Sequence, residues 1–265
     1  MKDFVGKCVV ITGASGGIGY ACAKFFEQRG ATVYDLSRSG TSCDNINHIF
    51  CDVTDAQSVK EAAAHLAKVT QEIHLLINNA GFGISGAIED TPLEKAKAQF
   101  DVNFFGAVMV TNALLPQIKK VKGKIICVSS VAAALPIPFQ AFYSASKSAV
   151  NAYAMALANE LRPFGVGVCA LMPGDTKTSF TQNRQKQTAS AQYSTRSEKS
   201  VAQMEKDEQE GGSPLLVAKK IYRIAQKNKI KPLYTVGAKY NFFVFLSKVL
   251  GSAAVNKILG KMYSR

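Results

Sequence analysis

Apolar residues along this chain fall into two alternating rhythms. Short β-rich runs at 7–12, 31–36, 46–51, 73–77, 124–128 and 166–171 are separated by longer stretches with helical spacing. Helix starts are legible between them. Thr54-Asp55-Ala56-Gln57 and Thr91-Pro92-Leu93-Glu94 both have the form of a capping box, the second with proline at the first helical position. Ser213-Pro214, after Gly211-Gly212, repeats the Ser-then-Pro start. Strands alternating with helices predict a parallel sheet covered on both faces, a three-layer α/β/α arrangement of the doubly wound type.

Two segments leave this rhythm. Residues 177–212 are polar and poor in core formers, and predict an exposed helical excursion or mobile loop that would act as a lid. Residues 240–265 are apolar and basic. One catalytic domain over 1–239 with a C-terminal helical extension packed on it is the expected organisation. At 265 residues the chain is long enough to bury one continuous core.

Charge is distributed unevenly. The net charge is +13, yet residues 1–213 carry 21 basic and 19 acidic side chains, while 214–265 carry 11 Lys/Arg and no acid. Basicity confined to one end argues against a general nucleic-acid-binding domain. No run of about 18 consecutive apolar residues appears, so no membrane-spanning helix is expected, and the polar N-terminus has no signal-peptide form. A cytoplasmic location is the expectation. The six cysteines lack a Cys-x-x-Cys pair and several sit in apolar runs, so they are expected to be small buried hydrophobes. The three histidines have no ligand spacing, and no metal site is expected.

Candidate chemistry begins where Val9-Val10-Ile11 runs into Thr12-Gly13-Ala14-Ser15-Gly16-Gly17-Ile18-Gly19 and a helical stretch follows. A strand, a glycine-rich turn and a helix N-terminus form a phosphate site, because the backbone can approach closely and free N–H groups favour negative charge. The spacing is Gly-x-x-x-Gly-x-Gly. Further along stand Cys51-Asp52-Val53, Asn78-Asn79-Ala80-Gly81, Val102-Asn103, Ser129-Ser130, Tyr143-x-x-x-Lys147 and Pro173-Gly174. In this order the motifs resemble the single-domain short-chain dehydrogenase/reductase family, and overall its hydroxysteroid and retinol dehydrogenase branch.

The resemblance implies a Rossmann-type fold and a nicotinamide dinucleotide. Gly13, Ser15, Gly17, Ile18 and Gly19 would hold the pyrophosphate; Asp52 and Val53 would flank the adenine; Asn79, Ala80 and Gly81 would line the nucleotide. Pro173, Gly174 and Thr176 would reach the nicotinamide carboxamide. At the end of the second strand the family's acid position aligns with Ser37, and Arg38 follows. A neutral residue with an arginine suits the 2′-phosphate of NADP(H). Asp35 shares a strand face with Ser37, and a one-position shift of the alignment would restore NAD(H).

Tyr143 and Lys147 are four apart in a helical stretch, which puts phenol and ammonium on one face about one turn apart. By resemblance Tyr143 is the acid/base of a hydride transfer, Lys147 holds the nicotinamide ribose, Ser130 polarises the substrate oxygen and Asn103 supports Lys147 through a water. The ammonium and an oxidised nicotinamide would lower the tyrosine pKa from its usual ~10. Ser129 is the alternative to Ser130. The apolar segment 131–142 would line the pocket, which favours a lipophilic, steroid-like or long-chain, alcohol or carbonyl. Other readings are a reductase of small polar carbonyls and a non-catalytic dinucleotide sensor. The family's habits imply a dimer or tetramer. The 240–265 segment would cover the pocket, form a subunit interface or lie on an anionic membrane surface.

Overall fold

The computed structural model describes residues 3–40, 42–43 and 45–263. Strands β1 (Cys8–Thr12), β2 (Thr32–Ser37), β3 (Ile46–Phe50), β4 (Leu75–Asn78), β6 (Lys124–Val128), β7 (Gly167–Met172) and β9 (Leu233–Thr235) form one sheet in the order β3-β2-β1-β4-β6-β7-β9. Every pairing in it is parallel. The six sequence-predicted strands lie within two residues of their expected bounds. β9 lies outside the predicted set; it is three residues long and pairs through Leu233↔Ala170.

Both faces are covered, so β1 is buried throughout and reads as an unbroken apolar run. On one face α2 (Ala56–Val69), α4 (Gly106–Lys120) and α5 (Ala141–Glu160) pack Leu66, Leu114 and Ala154 against Val10, Ile125 and Val168. On the other, α1 (Gly17–Glu27) and α7 (Pro214–Ala225) pack Phe26 and Ile221 against Val9, Ile11 and Leu171. The sheet order reverses at β1 and β4, so their carboxyl ends open a crevice, the place where ligands of open α/β sheets bind.

Two of the three helix starts differ from expectation. Asp55, not Thr54, caps α2: its carboxylate accepts from Gln57 N at 2.9 Å, while Thr54 donates to Asp52. α3 (Leu93–Phe100) begins after Pro92, whose ψ of 137° is not helical, and the Thr91 hydroxyl donates to the Ala87 carbonyl instead of capping. Ser213 does cap α7, accepting from Leu215 N, with Pro214 at the first helical position.

The polar 177–212 segment is a helical excursion. It contains α6 (Ser194–Gln209) and a two-residue strand, β8 (Gln185–Lys186), paired with β5 (Ile84–Ser85). The C-terminal segment is α8 (Ala238–Tyr263), bent at Gly251. Taken as one helix, α8 is long and apolar enough to cross a membrane by length and composition alone. Lys248 and Gly251 interrupt its apolar runs. Cys8, Cys22, Cys51, Cys127 and Cys169 are buried free thiols, while Cys43 is exposed.

Candidate active site

A cleft of about 740 Å³ lies at the carboxyl ends of the strands. At its nucleotide end β1 passes into the glycine turn. Gly13 (φ 68°) and Gly17 (φ 56°) take left-handed conformations that a side chain disfavours. Gly19 is required for closeness: a Cβ there would lie 2.3 Å from the Gly13 carbonyl oxygen. It is buried behind the turn and does not line the cleft, unlike Gly13, Ser15, Gly17 and Ile18. α1 has Gly16 at its N-cap, with no side-chain cap and no acid in its first turn, which leaves its N–H groups and positive dipole end free. That donor set fits a pyrophosphate.

Asn79 serves two purposes at once. Its amide donates to the carbonyls of Thr12 and Gly13, both at 3.0 Å, and so ties β4 to the turn; it also lines the cleft beside Ala80 and Gly81. Thr12 Oγ1 accepts from the N–H groups of Asn79 and Ala80.

Asp35 stands two residues before Ser37 in β2. Its carboxylate is buried, accepting from Ala14 N and from the Ser37 hydroxyl, each at 2.8 Å. Ser37 and Arg38 line the cleft and Asp35 does not. Asp52 and Val53 also line it; the Asp52 carboxyl is held below its usual range, burial being outweighed by two hydrogen bonds from Thr54 and by the nearby Arg38 guanidinium.

At the chemical end, α5 carries Tyr143 and Lys147 into the cleft one turn apart. Lys147 is 4% exposed, and its ammonium donates to the Val128 carbonyl at 2.9 Å. Burial pushes its pKa down to about 8. The Tyr143 phenol is pushed up to about 12 by burial, with a hydrogen bond from Ser130 pulling back and the Glu208 charge adding to the rise. The expected lowering by Lys147 is absent from the protein by itself: the ammonium lies 5.9 Å from the ring centroid, and desolvation prevails.

Ser130 lines the cleft and caps the short 3₁₀ turn 131–133, accepting from Ala132 N. Ser129 also lines the cleft but spends its hydroxyl on the Lys147 carbonyl at 3.0 Å, whereas the Ser130 hydroxyl is directed to Tyr143.

Asn103 lies in a π-helical turn (Asp101–Phe105) between α3 and α4, a departure from regular helix that frequently marks functional sites. It is 2% exposed, accepts from Phe82 N and donates to Phe82 O and Ser146 Oγ. A Cβ on Gly81 would sit 3.0 Å from Asn103 Oδ1 and 3.3 Å from Lys147 Nζ, so the two groups converge there without touching the cleft together. Asn103 does not line the cleft.

Pro173, Gly174 and Thr176 line the opposite rim, with the Thr176 hydroxyl turned back onto the Gly174 carbonyl. The substrate side differs from the sequence expectation. Of the 131–142 segment, Val131, Ala132, Ile137 and the polar Gln140 line the cleft, whereas Phe139 is buried against Ala87 and Met204. Residues that sequence reasoning missed complete the wall: Asp175, Thr178, Phe180, Asn183 and Glu208. Glu208 is neutralised by Arg184, which is buried although it lies in the most polar stretch of the chain. The Phe180 ring lies 5.5 Å from that of Tyr143. No local pattern marks Asp175, Phe180 or Glu208, because their side-chain partners Tyr240, Tyr143 and Arg184 are 24 or more positions away.

The family model for short chain dehydrogenase matches residues 7–189. A 3-ketodihydrosphingosine reductase from Bacteroides thetaiotaomicron is 38% identical over 241 residues, 87% of this chain and 90% of the relative. An NADPH-dependent 1-acyldihydroxyacetone phosphate reductase from Schizosaccharomyces pombe is 40% identical over 181 residues, 66% of this chain and 61% of the relative. Among solved structures, a short-chain dehydrogenase from Streptomyces avermitilis superposes with a TM-score of 0.85 at 26% identity, covering 97% of each chain. A match that takes in well over half the sequence, together with a relative of this identity along most of its length, makes the chain a member of the short-chain dehydrogenase/reductase family of oxidoreductases.

Proposed function

We propose that the protein is an NADP(H)-dependent reductase that interconverts a lipophilic carbonyl compound and its secondary alcohol, with Tyr143 as acid/base. The observation that carries the cofactor choice is the end of β2, where the acid is turned inward onto Ala14 and Ser37 while Arg38 lines the cleft. An arginine there pairs with a phosphate, and both oxygens of Asp35 are already engaged. The NADPH dependence in the name of the Schizosaccharomyces pombe relative supports the same choice.

When bound, the dinucleotide supplies the hydride in reduction and accepts it in oxidation. The remaining work falls to the chain. The glycine turn and the α1 N-terminus would hold the pyrophosphate; Asp52 and Val53 would flank the adenine; Asn79, Ala80, Gly81, Pro173, Gly174 and Thr176 would frame the rest of the nucleotide. Tyr143, with its pKa pushed up to about 12, keeps its proton at neutral pH and donates it to the carbonyl oxygen as the carbon is reduced. Ser130 orients that oxygen. Lys147 would bind the nicotinamide ribose, and Asn103 fixes the Phe82 backbone and Ser146 beside it.

A lipophilic substrate is supported by Val131, Ala132, Ile137 and Phe180 in the cleft wall. The two relatives are reductases of lipid-like ketones by their names, and 3-ketodihydrosphingosine is the first compound to assay. Arg38→Ala is expected to raise KM for NADPH by about 10–100-fold, the value of one or two charge-assisted hydrogen bonds, with KM for NADH unchanged. Steady-state kinetics with both cofactors decide it. A wild-type preference for NADH, or an Arg38→Ala protein that loses both cofactors equally, would overturn the assignment.

A further inference from the structure

α8 is covered by protein on one side only. Val244 is buried against Val131 and Met172. Phe242, Phe245 and Val249, spaced three and four apart, form a stripe on the other side and are 58%, 63% and 65% exposed. Beyond the bend, Ile258 and Met262 continue the exposed apolar surface. Lys239, Lys248, Lys257 and Lys261 are exposed along the same helix, and residues 214–265 contain no acidic side chain.

We propose that α8 is an interfacial helix that lies in the surface of an anionic bilayer, its apolar stripe inserted and its lysines among the lipid headgroups. Three observations select this occupant. First, a spanning role is excluded by the path of the chain. Gly251 (φ 74°, ψ 163°) divides α8 into arms 238–250 and 252–263, each about 20 Å long or less, against a hydrocarbon core of about 30 Å.

Second, both arms are anchored to the same body. The Tyr240 hydroxyl donates to Asp175 Oδ2 at 2.6 Å, and its ring lies on Gly174, where a Cβ would meet it at 2.2 Å. At the far end the Tyr263 hydroxyl donates to Asp207 Oδ2 at 3.0 Å on the lid helix α6. A helix held at both ends on one face can lie on a membrane but cannot cross it. Third, the charge suits an anionic surface and opposes a second copy: a symmetric α8–α8 interface would bring lysines against lysines with no acid on the helix to pair them.

The placement has a consequence for the cleft. Asp175 lines it, and so does Glu208, the neighbour of Asp207 on α6. α8 is thus tied at both ends to the lid wall of the cleft, and a helix seated in a bilayer would hold the mouth at the lipid surface from which a lipophilic substrate partitions.

The chain contains no tryptophan, so Phe245→Trp supplies a single fluorescent reporter on the stripe. With vesicles of phosphatidylcholine and phosphatidylglycerol at ~0.15 M salt its emission is expected to shift to the blue and the protein to co-sediment; phosphatidylcholine alone and high salt should abolish both. Phe164→Trp, on an exposed 3₁₀ turn elsewhere, should not shift. Phe245→Glu with Val249→Glu should weaken vesicle binding at least tenfold while the melting temperature and turnover of a water-soluble ketone are retained. Vesicle binding unaffected by the glutamates, no binding at all, an equal blue shift in the Phe164→Trp protein, or a dimer that the glutamates dissociate would each overturn the proposal. Vesicle binding is measured without turnover, so a protein that binds vesicles yet reduces no ketone would refute the reductase reading and leave this one standing.

Discussion

Tyr143→Phe is expected to reduce turnover by about 10²–10⁴-fold, the usual worth of a positioned general acid, while NADPH binding stays nearly unchanged. The aromatic ring is retained in the variant, so its packing near Phe180 and the shape of the cleft survive. What is lost is the hydroxyl at the chemical end of the cleft that is linked to Ser130 and held uncharged by burial. The pH dependence of reduction follows from the same groups. Tyr143 is protonated at all pH values below about 12, so it sets no limit in the neutral range. Lys147, lowered to about 8 by burial, carries its charge below that value and loses it above, so kcat/KM for reduction is expected to fall as pH rises through about 8. Turnover by Tyr143→Phe within a few fold of wild type would remove the phenol from the mechanism.

Asn103→Leu is expected to destabilise the fold by about 3 kcal/mol or more and to lower turnover with it. Asn103 is buried and makes three hydrogen bonds, two to the Phe82 backbone and one to Ser146. Leucine matches it in size but makes none, and each buried polar group left without a partner costs roughly 1–3 kcal/mol. For a chain of this size that is a melting-temperature drop of about 6–12 °C, at ~2–4 °C per kcal/mol. The effect on turnover arises because the Phe82 segment follows Gly81, the point at which Asn103 Oδ1 and Lys147 Nζ converge. Thermal denaturation followed by circular dichroism measures the first part. An unchanged melting temperature would contradict the network.

The nucleotide half of the cleft was legible because its determinants are local. The glycine spacing, the apolar strand before it and the helix after it lie within residues 9–26, and each glycine answers a nearby steric demand: Gly13 and Gly17 a left-handed backbone, Gly19 the Gly13 carbonyl. Tyr143 and Lys147 were legible for the same reason, being one helical turn apart. The pKa of Tyr143 was not, since sequence supplies the charged neighbour but not the burial that overrides it.

Non-local contacts defeated the sequence elsewhere. β9 has only three residues, and its place in the sheet is fixed by register with β7. Thr54 and Thr91 have the composition of caps, but closer acceptors, Asp52 and the Ala87 carbonyl, take their hydroxyls. The lid wall is hidden because Arg184 and Glu208 bury each other as a pair from opposite ends of a polar stretch. α8 was legible in composition and charge, but its two anchors, Asp175 and Asp207, are contacts of the folded chain.

The central claim is that hydride passes from NADPH to a substrate carbonyl in the cleft that Tyr143 and Lys147 line. It is tested most directly with NADPH deuterated at the transferable nicotinamide position and 3-ketodihydrosphingosine, with a panel of other lipophilic ketones alongside, and product mass spectrometry. The expected product is the secondary alcohol with one deuterium on the carbinol carbon, formed by the wild type and not by Tyr143→Phe. Tight NADPH binding with no deuterated alcohol from any ketone would contradict the account and leave a dinucleotide sensor in its place.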